Sequence, residues 1–114
     1  MERFFVKKYT CMAVLLTSSC SMQYNHVAER RQYWENVVHA QIPVGTSYED
    51  LQRWANSRQL DLVQGQSADT MIAGLESVPV NDLACKGFGI SLQLTFDANR
   101  SIARETVRSL GDCL

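Results

Sequence analysis

The ten residues Phe88-Gly89-Ile90-Ser91-Leu92-Gln93-Leu94-Thr95-Phe96-Asp97 constrain the fold more than any other part of the chain. Every even position is apolar, and every odd position is Gly, Ser, Gln, Thr or Asp. Successive side chains of a β-strand point to opposite faces, so this alternation predicts a strand with one face in a core and one in water. A helix would scatter the five apolar residues around its circumference. Asp97-Ala98-Asn99-Arg100 then reads as a hairpin turn, with Asn99 able to take the left-handed conformation.

The returning segment, Ser101 to Leu110, is open to two readings. Ile102 and Leu110 suit one strand face, but Arg104, Thr106 and Arg108 share it. A bulge would turn Ala103 and Val107 inward instead. Ala103, Val107 and Leu110 also fit a helix capped by Gly111. A charged edge strand is preferred, because edge strands are commonly protected from further pairing by charge. In an antiparallel hairpin about this turn, facing residues have numbers summing to about 198. Cys85 and Cys113 then lie opposite one another just past its open end. A bridge there closes a loop of about 28 residues and adds roughly 3–4 kcal/mol.

Upstream, Val27, Trp34, Val37, Val38 and Gln41 recur near helical spacing across His26–Gln41, an amphipathic helix ended by the restriction Pro43 places on Ile42. Arg30, Arg31 and Tyr33 read as its solvated face and Trp34 as core; a membrane-surface contact is the alternative. Ile42-Pro43-Val44-Gly45 is a turn. Thr46-Ser47-Tyr48-Glu49 has the pattern of a capping box, in which Thr46 and Glu49 each satisfy a free backbone N–H. A second helix follows to about Ser57, burying Tyr48, Leu51, Trp54 and Ala55. Its first-turn carboxylates, Glu49 and Asp50, complement the helix dipole. Asp61–Gln66 suggests a short strand, and Thr70–Glu76 another with Met71, Ala73 and Leu75 on one face. Val78-Pro79-Val80-Asn81-Asp82 reads as a loop. Loops on a rigid sheet often carry binding, so Val78, Pro79, Asn81 and Asp82 form the candidate partner contact. The expected architecture is α+β: two N-terminal helices on one face of a small antiparallel sheet of about three strands.

The N-terminus reads as an address. Arg3, Lys7 and Lys8 precede the apolar run Cys11–Leu16, then Thr17-Ser18-Ser19 and Cys20. A charged start, a short apolar middle and small residues make a secretory signal, and the run is far short of the roughly 20 residues of a spanning helix. Leu15-Leu16-Thr17-Ser18-Ser19-Cys20 resembles a bacterial lipobox, in which the Cys becomes the acylated first residue, palmitate among its acyl chains. Several chains on one Cys hold a domain to a membrane stably. By resemblance to the sorting rule, Ser21 directs the protein to the outer membrane, facing the periplasm. The alternative is ordinary cleavage, giving a soluble periplasmic protein. The expected division is residues 1–19 as signal, 20–25 as lipidated Cys20 and tether, and 26–114 as one domain. In an oxidising compartment Cys85 and Cys113 are then the disulfide pair.

Composition excludes some classes. Among 114 residues, 46% are hydrophobic and 20% charged, which argues against disorder. Without residues 1–19, the 11 basic and 12 acidic residues become 8 and 11, a net charge of −3. That balance gives no general attraction to nucleic acid. The sequence lacks a Gly-rich phosphate loop, a His-Glu-x-x-His or a Gly-x-Ser-x-Gly pattern, so no catalytic, metal-binding or cofactor residues are assigned. His26 and His39, thirteen residues apart, are not a face-sharing ligand pair and read as surface or packing residues.

A lipobox, two helices joined at a Gly-Thr/Ser cap and a small meander together resemble the SmpA/OmlA (BamE-type) outer-membrane lipoproteins and the β-lactamase-inhibitor-like domains. Ile42–Leu60 and the Phe88–Ile102 hairpin carry the likeness, less than half of the chain. It implies an α+β envelope protein that binds other proteins through a sheet face or loops and carries no catalytic centre. Two roles follow: a protein-binding lipoprotein supporting outer-membrane protein assembly or envelope integrity, or a periplasmic inhibitor or immunity protein that neutralises an envelope-attacking hydrolase.

Overall fold

The computed structural model describes residues 18–80 and 84–113, with side chains from Tyr24 onward. Two helices, α1 (Ser18–Gln41) and α2 (Tyr48–Ser57), precede four strands: β1 (Leu62–Gln64), β2 (Thr70–Pro79), β3 (Cys85–Phe96) and β4 (Ile102–Cys113). The fold class is α+β. The strands form one antiparallel sheet in the order β1-β2-β3-β4. The sheet has four strands rather than about three, because Leu62–Gln64 pairs with Met71–Ala73.

The alternation in β3 is realised in its burial. Ile90, Leu92 and Leu94 are buried, and both helices cover them: Val27, Trp34, Val38 and Leu51 share their core, as do Ala73, Leu75, Val78, Ile102 and Val107 from the flanking strands. Phe88 and Phe96 close the two ends of this row. Phe88 meets Tyr24 edge-on at 5.7 Å, and Phe96 meets Tyr48 at 5.6 Å. Burying each of the three central aliphatics contributes roughly 1.5–3 kcal/mol.

Several expectations change. Residues 20–25, expected as a tether, lie within helix α1. No Gly or Pro interrupts that segment, and Val27 with Tyr24 docks the next turn on the sheet. The cap of α2 is Ser47, not Thr46: Ser47 Oγ accepts from Asp50 N at 3.1 Å. Thr46 is occupied otherwise, its hydroxyl donating to Pro43 O and its carbonyl accepting from Ile102 N at 2.8 Å. Gly45, at φ +98°, turns the chain so that its own N–H reaches Ile102 O at 2.7 Å. The interhelix turn is thereby stitched to the start of β4.

The left-handed residue of the β3–β4 hairpin is Arg100 (φ 60°), not Asn99. Arg100 N donates to Asp97 O, and Asp97 N to Ser101 O. That is a three-residue loop, which needs its positive φ at the third position. The Arg100 guanidinium lies 4.2 Å from the centre of the Tyr48 ring.

Strand β2 continues through Pro79, so the expected loop begins later. Val80 N donates to Lys86 O on β3, and alternation then aims the nitrogen of Pro79 away from β3. With β1 ending opposite Ala73, that side of β2 has no ladder bond for proline to lose. Val78 consequently points into the core, at 2% exposure, and is no free contact residue.

The final segment is a strand, with its register shifted twice. Pairing begins at Phe96↔Ile102, slips at Ala103, and runs from Thr95↔Arg104 to Gly87↔Asp112. A second slip at Lys86 sets Cys85 opposite Cys113. The first slip turns Val107 and the Glu105 side chain inward, while Ala103 stays exposed. Arg104, Thr106, Arg108 and Leu110 go to the opposite face. The sulfurs of Cys85 and Cys113 lie at disulfide distance, 2.02 Å. Gly111 permits their approach, since a Cβ there would sit 2.8 Å from Cys113 Sγ and 3.0 Å from Phe88 Cε2.

Mass spectrometry of unreduced protein is expected to show Cys85 and Cys113 linked. Cys85→Ser should lower the unfolding free energy in urea by roughly 3 kcal/mol. Free thiols at both positions would contradict the pairing.

Candidate functional site

Both helices lie on one face of the sheet, and among the described residues nothing covers the other. Cross-strand pairing orders it into rungs. From one end these are Thr70–Thr95–Arg104, Ile72–Gln93–Thr106, Gly74–Ser91–Arg108, Ser77–Gly89–Leu110 and Pro79–Gly87–Asp112. Val63 of β1 extends the second rung. The centre is built of small residues, and a Cβ at Gly74 or Gly89 would meet nothing within 4 Å. Large side chains stand at the margins: Leu110 is 59% exposed and Val63 56%.

The result is a trough along β2 and β3. A hollow of about 360 Å³ lies between Ile72, Gln93, Arg108 and Leu110. It shares Ser91 and Leu110 with a second of about 620 Å³, floored by Gly74 and Gly89 and reaching Gln59. A third, about 550 Å³, continues past Ser77 and Gly89 to Gly87, Lys86 and Asp112. At about 3.4 Å per residue, the five rungs span roughly 27 Å.

Charge is distributed unevenly. Of the seven described arginines, five are engaged within the chain: Arg30 with Glu76, Arg31 with Glu35, Arg53 with Asp50, Arg58 with Gln41, and Arg100 on Tyr48. The other two, Arg104 and Arg108, are exposed on the open face without a partner among the described residues.

The covered face holds two polar contacts that fix α1 across the sheet. Glu76 accepts from Arg30 Nε at 3.0 and 3.1 Å, and from Trp34 Nε1 at 2.8 Å. These hydrogen bonds, Arg30's foremost, hold the Glu76 carboxyl below its ordinary range. Trp34 is therefore a core residue with its indole N–H satisfied, and Arg30 is half-buried beside it. Nearer the C-terminus of α1, His39 Nε2 lies 3.7 Å from Glu105 Oε1. The Glu105 side chain is 3% exposed, and neither carboxylate oxygen has a hydrogen-bond partner among the described residues. Burial pushes the Glu105 carboxyl up, with the charge of His39 opposing. His26 lies 3.9 Å from Glu29 on the surface of α1.

The residues singled out from sequence are dispersed. Cys20 is on the first turn of α1, and Cys85 faces Cys113 at the far end of the hairpin. Pro79 is exposed at the end of β2, and Asn81 and Asp82 lie outside the described residues. The trough is built from other residues, although the sequence carries a signal for it. The polar odd positions Gly89, Ser91, Gln93 and Thr95 name an outer face, and Gly74 and Arg108 fall in line with Ser91 once register is known. Among the described residues, no helix is long and apolar enough to cross a membrane, and no three His, Cys, Asp or Glu side chains are grouped to hold a metal ion. Comparison with protein-family models, curated proteins and solved structures gives no match for this chain.

A raised carboxyl binds its proton more tightly in the folded than in the unfolded state. Its stabilising effect is complete below the ordinary carboxyl range and is lost as pH rises through the raised value. Glu105→Gln should therefore be more stable than the parent by about 1 kcal/mol at pH 8, with the difference vanishing near pH 4. Thermal melts across this range check it, and parallel pH profiles would contradict it.

Proposed function

We propose that this protein is a small cell-envelope lipoprotein that works as a non-catalytic protein-binding module. Acylation at Cys20 fixes it to the outer membrane on the periplasmic side, and its exposed sheet presents a binding surface to another envelope protein. Its role in this reading is to support outer-membrane protein assembly or envelope integrity. The likeness of Ile42–Leu60 and the Phe88–Ile102 hairpin to SmpA/OmlA-type lipoproteins belongs to the same proposal. It is an analogy of fold, which cannot by itself carry function.

The observation that carries the reading is the uncovered trough. An antiparallel sheet can leave one face to water, but that face is then ordinarily polar throughout. Here Ile72 and Leu110 stand around a glycine floor, and two arginines beside it have no partner among the described residues. Mixed apolar and charge-bearing character suits recognition of a protein surface. The fixed core beneath and the Cys85–Cys113 link make the surface preformed, which lowers the ordering cost of binding. That same rigidity suits the second reading, an inhibitor or immunity protein seated on one hydrolase.

Fractionation tests the anchoring and co-purification tests the role. Cys20→Ala should move the protein from the membrane to the soluble periplasmic fraction. The parent should co-purify with outer-membrane proteins, and its deletion should sensitise the envelope to detergent. A tight one-to-one complex with one secreted hydrolase would transfer support to the inhibitor reading. Substrate turnover by the purified protein, or an unchanged membrane fraction for Cys20→Ala, would count against the proposal.

A further inference from the structure

We propose that the trough receives an acidic segment of the partner protein, with carboxylates on Arg104 and Arg108 and an apolar side chain over the Gly74–Gly89 floor beside Leu110. This rests on the protein-binding reading above and specifies the partner's chemistry.

Three observations converge on it. The first is the selective pairing of charge: five described arginines have internal partners, whereas the two on the open face have none among the described residues. They stand four residues apart on one strand, so their Cα atoms are about 13 Å apart along the rim. A guanidinium presents a planar fork of donors that a carboxylate matches with two parallel hydrogen bonds. The charges near this rim do not neutralise it. Glu105 points through the strand to the covered face, Asp112 stands at the far end of the row, and Glu76, which lines the Gly74–Gly89 hollow, is engaged by Arg30 and Trp34.

The second observation is shape. The floor is recessed where Gly74 and Gly89 expose bare backbone, and Leu110 and Ile72 rise around it. A convex protein segment can reach such a floor, whereas a flat bilayer surface cannot. The hollow beside Arg108 is lined by both Ile72 and Leu110, so one occupant can bury apolar surface and place a carboxylate in the same movement.

The third is sign and range. Exposed charges are screened within about 8 Å at physiological ionic strength. The chain's net charge of −1 therefore gives no long-range attraction for polyanions, while Arg104 and Arg108 act on carboxylates brought close to them. A second copy meeting face to face about a twofold axis through this rung would set Arg108 against Arg108, a like-charge contact.

Selection from displayed random peptides tests this, using the full chain purified in mild detergent and peptides of about twelve residues, long enough to span the trough when extended. Peptides recovered on the parent should be enriched in Asp and Glu and carry an apolar residue. Their affinity should fall by about tenfold or more on the R104E/R108E variant. That variant should instead recover Lys- and Arg-rich peptides. Gly89→Leu, which fills the floor, should abolish binding in both backgrounds, with circular dichroism confirming that each variant is folded.

Peptides without acidic enrichment that still need Gly89 would overturn the acidic partner but leave the protein-binding face standing. Peptides indifferent to Gly89→Leu would overturn both. Self-association removed by R104E/R108E would assign the face to a second copy. Binding of the Cys20→Ala chain to phosphatidylglycerol vesicles through Arg104 and Arg108 would assign it to lipid. Either result contradicts the proposal.

Discussion

The structure depends on a division of labour within β3. This strand is paired along its length on both sides, so its two faces become the two faces of the sheet. Ile90, Leu92 and Leu94 must leave water together, and the helices packed over that face bury them. Removing any one would cost about 2–5 kcal/mol through lost burial and the cavity left behind. Once that face is covered, Gly89, Ser91 and Gln93 are committed to the other, and they leave it shallow. Core and trough are thus two consequences of one alternating sequence.

Helix α1 crosses the sheet and is held at two polar points of opposite character. At the β2 side, Glu76 is fully engaged by Arg30 and Trp34, and its charge is favoured. At the β4 side, Glu105 is buried without a hydrogen bond, and its charge is disfavoured. Both carboxylates are turned inward by slips in register. The extra residue at Leu75 in β2 brings Glu76 into line with Val78, and the slip at Ala103 does the same for Glu105. Each bulge also adjusts the outer face, one aligning Ser77 with Gly89 and the other presenting Arg104 and Arg108.

Much of this is legible in the sequence. Period-2 alternation gave β3, and helical spacing gave α1 and α2 with Trp34, Val38 and Leu51 inward. The β4 bulge was legible only as a possibility and the β2 bulge not at all, because a slip of one residue depends on side chains on other strands. Ser101–Leu110 shows the consequence: read without a slip it puts three polar residues on the core face, and with one it buries Val107 and exposes the arginines. Pro79 misled for a related reason. Proline argues against a ladder, but β1 stops short and leaves that side of β2 without one. Thr46 and Asn99 were each one residue from the correct cap and turn positions, since local patterns cannot see the bonds from Ile102 and Tyr48. The site was the least legible feature, being assembled across strands from Gly74, Gly89, Ser91 and Arg108.

If the open sheet face is the working surface, a photo-reactive residue placed there should report contact where the helix surface does not. The most direct measurement is cross-linking in intact cells from Gln93 on β3 and, as reference, from Gln52 on α2. One discrete adduct from position 93 and none from position 52 is the result the account predicts. Adducts from position 52 alone, or from neither while the protein remains folded and abundant, would contradict it.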